Sequence, residues 1–590
     1  DSVSGINDCP RRAFEMPRTM IVMAARTHGL LPIDTPYLDL KNEEGFLEEE
    51  NFGNPTIEDM MSNEANVVLL VGQAYAEVKW VHDHWGYWGV SSLTADECVC
   101  PTRTPGEHWA DGGYWKNLNT HNWNAFGDAF KNIWNSTISG AVLCNKLIQT
   151  LDDYQENMST EIYLQYRGEL EVMRSYYYYL LFDCFGRIPY LESFEDVTEP
   201  LMEPEIVWSH LVACLERNAP NLPAVNDATR ATNYGRVTQG MAYSLLARLY
   251  LNAESYGCTT DNIKFPEGCE VKIASSNDFY TNAVRCCDMV INSGSYSIEE
   301  NFFDNFKILN ENSRENIFVI VEDGNAKFDM RYNGSMANKM RMVHLSLHYC
   351  HQTTWNMIEK PWNGFAARPA FMALYDGKDV RGAGEAYGTD TLGTKGTKQF
   401  GWFIGPVTDK DGNVLKDENG DLAIVTKDIE ETLTEATWND GARFWKYEVD
   451  KAKKYDWAEN DYVLMRYADV LWMKEEAILR GGQGTSGFNT PDFDRLKKRA
   501  FAYEANGLAA YNAAYPDVLT LDKILDERGR EFAWECIRRR DLIRFGKFEE
   551  VQYVDAKQPY RQWFPIPFSV IEKAKRDEQG NPIWTQNEGY

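Results

Sequence analysis

Residues 519–548 read LTLDKILDERGREFAWECIRRRDLIRFGKF, with the charge density of a surface helix and the apolar spacing of a buried one. Leu521, Leu525, Phe532, Cys536 and Ile543 follow one another at intervals of 4, 7, 4 and 7, which places them on one helical face. Asp522 and Asp526 come early, where the helix dipole favours anions. Arg538, Arg539, Arg540 and Arg544 come late, where it favours cations. Glu535 and Arg539 stand at i,i+4 in the better order. The pattern predicts one long amphipathic helix around which the rest of the chain is organised. Gly529, which costs about 1 kcal/mol against alanine in a helix interior, predicts a close neighbouring backbone.

A chain of 590 residues buries one large core or several modest ones. Hydrophobic content of 44% makes it globular, and no apolar run approaches the length of a membrane-spanning helix. The formal net charge of −29 argues against binding a phosphate backbone and suits neutral partners such as sugars, or a partner with a basic surface. Of the 18 Trp, 32 Tyr and 28 Phe many must fill the core and helix interfaces, and a protein that stacks on flat ligands would also carry such a load. The 12 cysteines form no zinc pattern; Cys258 and Cys269 flank a loop and are placed to form a disulfide in an oxidising compartment. Residues 16–31 have a basic start and a short apolar stretch, like a signal peptide. Arg26 and His28 interrupt it, and Cys9 precedes it, so no lipoprotein-type cysteine follows. Residues 1–33 are read as a degraded or altered leader.

Helical periodicity predicts helices at 54–82, 126–151, 159–185, 203–218, 235–255, 277–292, 461–480 and 490–506. Gly186 and Pro189 end the 159–185 segment. Residues 83–123, rich in Trp, Gly and Cys, show no helical period and form a loop long enough to be functional. Residues 300–460 change character, with a strand at 317–321 and polar hairpin turns at 409–421. The tail from 551 to 590 is extended, with a short helix near 568–575. Small residues such as Ala242, Ala247, Ala468 and Ala477 mark close helix contacts. The expected fold is mainly α: tetratricopeptide-like helix pairs over 54–300 and 460–550, with a loop-rich insertion at about 300–460, in one domain spanning 34–590.

No GxSxG, HExxH or phosphate-binding glycine loop is present. His82 with His84, and His344, His348 and His351, come closest to metal-ligand spacing, without accompanying carboxylates. The turns at 409–421 depart from a calcium loop in glycine offset and lack a closing glutamate, so no cofactor is expected, with calcium there as the alternative to solvated turns. No carboxylate pair for glycoside hydrolysis stands out. A pyranose shows an apolar C–H face and a rim of hydroxyls, so its binding needs flat aromatics and planar polar groups at the edge. Residues 93–124 supply both, in Trp109, Trp115 and Trp123 with Asp96, Arg103 and Asp111. Trp362 with Asn363, and Trp402, are further candidates in the irregular half.

The string E-R-x-x-E-x-x-x-E-x-x-R-x-x-D-L-I-R-F-G-K, on Glu527, Arg528, Glu531, Glu535, Arg538, Asp541, Leu542, Arg544, Phe545, Gly546 and Lys547, resembles the C-terminal hallmark of the SusD/RagB family. LTADECVCPTR, WADGGYW and HNW resemble its N-terminal segment, with departures at Thr104 and His108. YRGELEVMRSYYYYLLFDCFGRIPY, GRVTQGMAYSLLARLYL, WNGF, Tyr375 with Asp379 and Arg381, GARFWKY, RYADVLWMKEEAIL and the P-I-P and Q-N-E-G-Y of the tail follow in the family's order. Glu588 stands where the family has proline. The resemblance implies a non-catalytic, surface-exposed outer-membrane lipoprotein. Such a protein binds oligo- or polysaccharide and delivers it to a SusC-type TonB-dependent transporter. It also implies that Arg528 and Asp541 are structural. It carries over no ligand residues. Three rivals stay open: a peptide-capturing member of the family, a glycoside hydrolase, and a pure protein-interaction scaffold.

Overall fold

Alanines at close contacts let helix axes approach, and the helical half is built on such pairs. The computed structural model describes residues 57–590 except 63, 105–108, 110, 195–199, 323–340, 359, 383–400, 450–458, 517 and 555–556. The leader-like segment 1–33, the start of the 54–82 segment and His108 lie outside the described residues. The fold is mainly α, as expected. Helix Asp128–Asp153 packs along Thr160–Phe185, which also meets Pro204–Asn218. Gln239–Leu251 packs on Ser276–Asn292, and both meet Tyr467–Leu479. Ala242, Ala247, Ala468 and Ala477 are all fully buried.

Thr160–Phe185 is the central helix. The Ser159 hydroxyl caps it by accepting the Ile162 amide, and Gly186 ends it at φ 68°. Every residue from Gly168 to Phe185 is buried, so the helix has no polar face over its last turns. The same physics hid another helix. Tyr87–Thr94 is helical, inside the stretch expected to be loop, and all of its residues are buried. A helix enclosed on all sides has no apolar stripe to detect. Residues 57–81 form a succession of short helical pieces in place of one helix. Residues 461–480 begin as strand Tyr462–Arg466, antiparallel to Asn316–Ile320, before turning helical.

The 519–548 segment is two helices, Leu521–Phe532 and Arg538–Arg544. Trp534 and Cys536 take φ of 61° and 63° in the break, conformations no helix interior holds. Arg538, Arg539 and Arg540 therefore open the second helix, where the dipole disfavours them. Charge pairing outweighs that penalty. Arg538 forks onto both oxygens of Asp96, each at 2.7 Å. Arg539 and Arg540 bind Asp183, which also accepts from Tyr87 and Tyr256. Glu535 pairs with Arg466 and Lys446 and not with Arg539. Gly529 faces the Arg538 guanidinium, 2.9 Å from where a Cβ would stand, and not a neighbouring backbone.

The hallmark carboxylates form a buried ionic network. Glu531 accepts from Arg381 at 2.9 Å, Arg466 at 2.9 Å and Arg499 at 2.6 Å. Glu315 accepts from Arg466 and Arg499 as well. Arg528 bridges Asp541 and Asp469, each at 2.7 Å. Arg544 bridges Glu476 and Asp541. These contacts tie the hallmark to strand Tyr462–Arg466 and helix Tyr467–Leu479, which agrees with a structural role for Arg528 and Asp541.

The irregular insertion adds two small antiparallel ladders, Gly401–Phe403 with Arg443–Trp445 and Gly405–Pro406 with Ile424–Val425. Asp409 and Asp417 each accept amides across their own turns, from Asp411 and Asn413 and from Asn419 and Asp421. Their carboxylates thus serve the turns. Among the described residues no group of His, Cys, Asp or Glu is arranged to hold a metal ion. Cys258 and Cys269, the pair left open as a disulfide from the sequence, stand as free thiols, the first buried and the second half-buried.

Glu97 is fully buried, and burial raises its carboxyl to about 8 although the Trp534 amide donates to it. A raised folded-state value stabilises fully below the usual carboxylate range and fades as pH rises toward 8. Glu97→Gln is expected to remove this slope, at most about 1.4 kcal/mol per pH unit. Urea unfolding at pH 5 and 8 reads it: the wild type loses stability between the two relative to the variant.

Candidate functional site

Two bridges bring the 93–124 segment onto the insertion. Val99 pairs with Ala366 and Arg103 with Ala436. The Arg103 side chain has no exposed surface; it donates to the carbonyls of Thr437, Asp440 and Gly364. Burial lowers its pKa to about 10. It is thus the clamp that sets 93–124 against residues 361–365.

That clamp assembles an aromatic cluster from distant parts of the chain. Trp109 is half-buried and packs on Phe365 at 4.6 Å, Trp115 at 5.4 Å and His84 at 5.5 Å between ring centroids. The half-buried Trp362 stands edge-on to it at 5.2 Å and 82°. Trp85 and Tyr114, also half-buried, stack on one another at 5.1 Å and 24°. Trp115, fully buried, touches both groups and floors the cluster. Asp111 is exposed at the rim, and its carboxylate accepts the Trp115 indole N–H at 2.5 Å.

The backbone here is unusual. Trp109, Asp111 and Asn363 take φ of 51°, 45° and 56°, with Gly112 and Gly113 also positive. Non-glycine residues in that region hold strain that surrounding structure must overcome, and such positions concentrate at binding sites. Gly364 is required by the Trp109 ring: a Cβ at 364 would collide with it. Gly364→Ala is expected to cost about 1–3 kcal/mol by overpacking and to displace the indole. A thermal melt and the change in tryptophan emission check this.

The nine residues singled out from the sequence divide sharply. Trp109, Asp111 and Trp362 come together at the surface. Of the others, five are buried, and Asp96 is half-buried with both oxygens of its carboxylate committed to Arg538. Arg103 is the buried clamp, and Trp115 is the floor. Trp123 is 5% exposed; its N–H donates to Tyr590 Oη at 2.7 Å, and Arg561 lies 5.0 Å over its ring, so it fastens the tail. Asn363 is buried and donates to the Trp438 carbonyl, holding its tight turn. Trp402 is buried edge-on to Phe444 and Trp534. As placed, these six offer no face or edge to a saccharide. The histidines weighed as ligands are likewise interior, with His82 bonded to Tyr176 and His84 to Asp83.

Trp85 was missed by sequence reasoning. It follows a helical segment and precedes a hidden helix, and only its place in the aromatic run WGYW distinguishes it.

Comparisons with known proteins bear on this arrangement. A family model described as "SusD family" matches residues 315–562, and one described as "Starch-binding associating with outer membrane" matches residues 91–251. The chain is similar to the starch-binding protein SusD of Bacteroides thetaiotaomicron, 25% identical over 467 residues, covering 74% of this chain and 75% of that protein. Surface glycan-binding protein A from Bacteroides fluxus shares the fold with a TM-score of 0.64 at 19% identity, over 90% of this chain and 100% of the other. Surface glycan-binding protein A from Bacteroides thetaiotaomicron, solved in complex with laminarihexaose, does so with a TM-score of 0.62 at 20% identity, over 89% and 99%. The hallmark helices, the paired-helix scaffold and these matches lead to one conclusion: residues 91–251 and 315–562 of the chain match the SusD family.

Proposed function

We propose that this protein captures oligo- or polysaccharide at the cell surface, without cleaving it, and delivers it to a SusC-type TonB-dependent transporter. The observation that carries the reading is the half-open Trp109–Trp362 pair, held edge to face on a buried aromatic floor. Two indoles set at 82° offer one flat face each, and a pyranose C–H face fits such a surface. Asp111 at the rim supplies acceptors for ring hydroxyls, and the stacked Trp85 and Tyr114 extend the aromatic surface. Because buried packing fixes the rings, little side-chain entropy is lost on binding.

The similar proteins support the ligand class: one is named for starch binding, another was solved with laminarihexaose. The family description "associating with outer membrane" supports the location. A lipid anchor and the transporter partner enter this proposal through the likeness to that family. The site's chemistry is stacking and hydrogen bonding, and we assign it no bond-breaking step. With each hydrogen bond contributing about 0.5–1.5 kcal/mol net, a few contacts give affinities of roughly micromolar to millimolar.

Calorimetric titration against neutral hexasaccharides and peptides of similar mass, with product analysis after incubation, tests the reading. Binding of at least one saccharide, with the sugar recovered intact, is expected. Binding confined to peptides, or sugar shortened by the protein, would contradict it.

A further inference from the structure

A second groove lies between helix Asp128–Asp153 and the C-terminal segment. It encloses about 680 Å³ and is lined by Trp134, Asn135, Ile138 and Ser139 on one side and by Val570, Lys573, Lys575 and Trp584 on the other. That volume lies within the range of small-molecule sites.

The far wall is fixed by its own hydrogen bonds. Arg576 pairs with Pro582, and the Ile583 amide donates to the Lys575 carbonyl. The Asp577 carboxylate accepts the amides of Gln579 and Asn581 and closes the hairpin turn. This register sets the half-buried Trp584 ring 6.0 Å from Trp134. Two residues before Val570, the Phe568 ring packs at 4.9 Å on Phe126, and these rings are 42% and 71% exposed. Exposed aromatics of this size, set beside a groove, mark a contact surface.

The charge of the lining stands out. The chain as a whole carries −29, yet no carboxylate lines this groove, while two ammonium groups do. Both lysines are exposed. A neutral sugar has no use for them. An anionic one does: its carboxylate or sulfate pairs with Lys573 and Lys575 while its ring lies on Trp584, and Asn135 and Ser139 reach its hydroxyls.

We infer that this groove is a second saccharide site, selective for an anionic segment such as a uronate or sulfated sugar. The choice of a saccharide rests on the reading of the Trp109 face; the location and charge preference rest on the groove alone. The test titrates the full chain with hexa-oligogalacturonate, with a sulfated hexasaccharide and with a neutral hexasaccharide, at low and high salt. Lys573→Glu/Lys575→Glu and Trp584→Ala are compared with the wild type, with thermal melts confirming that both fold. At least one anionic probe is expected to bind, more weakly at high salt, and to lose about tenfold or more in each variant.

Failure of both anionic probes to bind would overturn the inference. So would anionic binding unchanged in the double lysine variant, or lost with Trp109→Ala in place of the lysine variant. Failure of the neutral probe alone strikes the reading of the Trp109 face and leaves the groove standing.

Discussion

Replacing Glu531 with alanine is expected to lower the unfolding free energy by roughly 3–5 kcal/mol. Three guanidiniums, of Arg381, Arg466 and Arg499, meet at this one carboxylate, and all four side chains are buried. Removing it leaves cationic groups inside the protein with less compensating charge, and no solvent reaches them. The urea midpoint falls while the slope of the transition is kept. The pH dependence has a defined sign. Burial alone would raise the Glu531 carboxyl, but Arg499, Arg466 and Arg381 together bring it well below the usual carboxylate range. Glu527 and Asp541 are also lowered, their buried arginines outweighing desolvation. Depressed folded-state values stabilise above the ordinary carboxylate range and lose that contribution as pH falls through the folded value. The wild type is therefore expected to lose stability steeply below about pH 4, and the Glu531→Ala variant less steeply.

The second large effect falls on binding. Trp109→Ala and Trp362→Ala are each expected to weaken a bound oligosaccharide by about 2 kcal/mol, roughly thirtyfold. Both rings are half-buried and carry the only exposed flat faces among the nine residues that sequence reasoning selected. Trp115→Ala, by contrast, empties a fully buried position and is expected to cost about 3–5 kcal/mol of stability. Titration and unfolding of the three variants separate a binding ring from a supporting one. Equal affinity in the two surface variants and the wild type would remove the Trp109 face from consideration.

The scaffold was largely readable because an amphipathic helix writes its exposed face into the sequence. The segment at 126–151 lies within two residues of helix Asp128–Asp153, which keeps an exposed face, while 159–185 lies within one residue of Thr160–Phe185, whose end is marked by Gly186 and whose exposure is confined to its first turns. Tyr87–Thr94 was unreadable because all of its residues are buried, Ser91, Ser92 and Thr94 included, so no exposed face sets a helical period. The break at 533–537 was unreadable for another reason. The apolar spacing continues through it, and only tertiary partners, Asp96 and Asp183 for the arginines, make two helices better than one. The site was legible in residue type and not in placement. Trp109 and Trp115 are six residues apart, yet one lines the surface and the other, in the short helix Tyr114–Asn119, floors the cluster. What decides between them is the Arg103 clamp onto 361–365 and the glycine at 364, contacts between segments far apart in the chain.

A crystal structure with a bound neutral oligosaccharide, taken from whichever hexasaccharide the titrations find tightest, puts the proposed capture surface to the plainest trial. A pyranose ring stacked on Trp109 or Trp362, with a hydroxyl within hydrogen-bond distance of Asp111, is the predicted result. An ordered sugar elsewhere, with both indoles left uncovered, would contradict it.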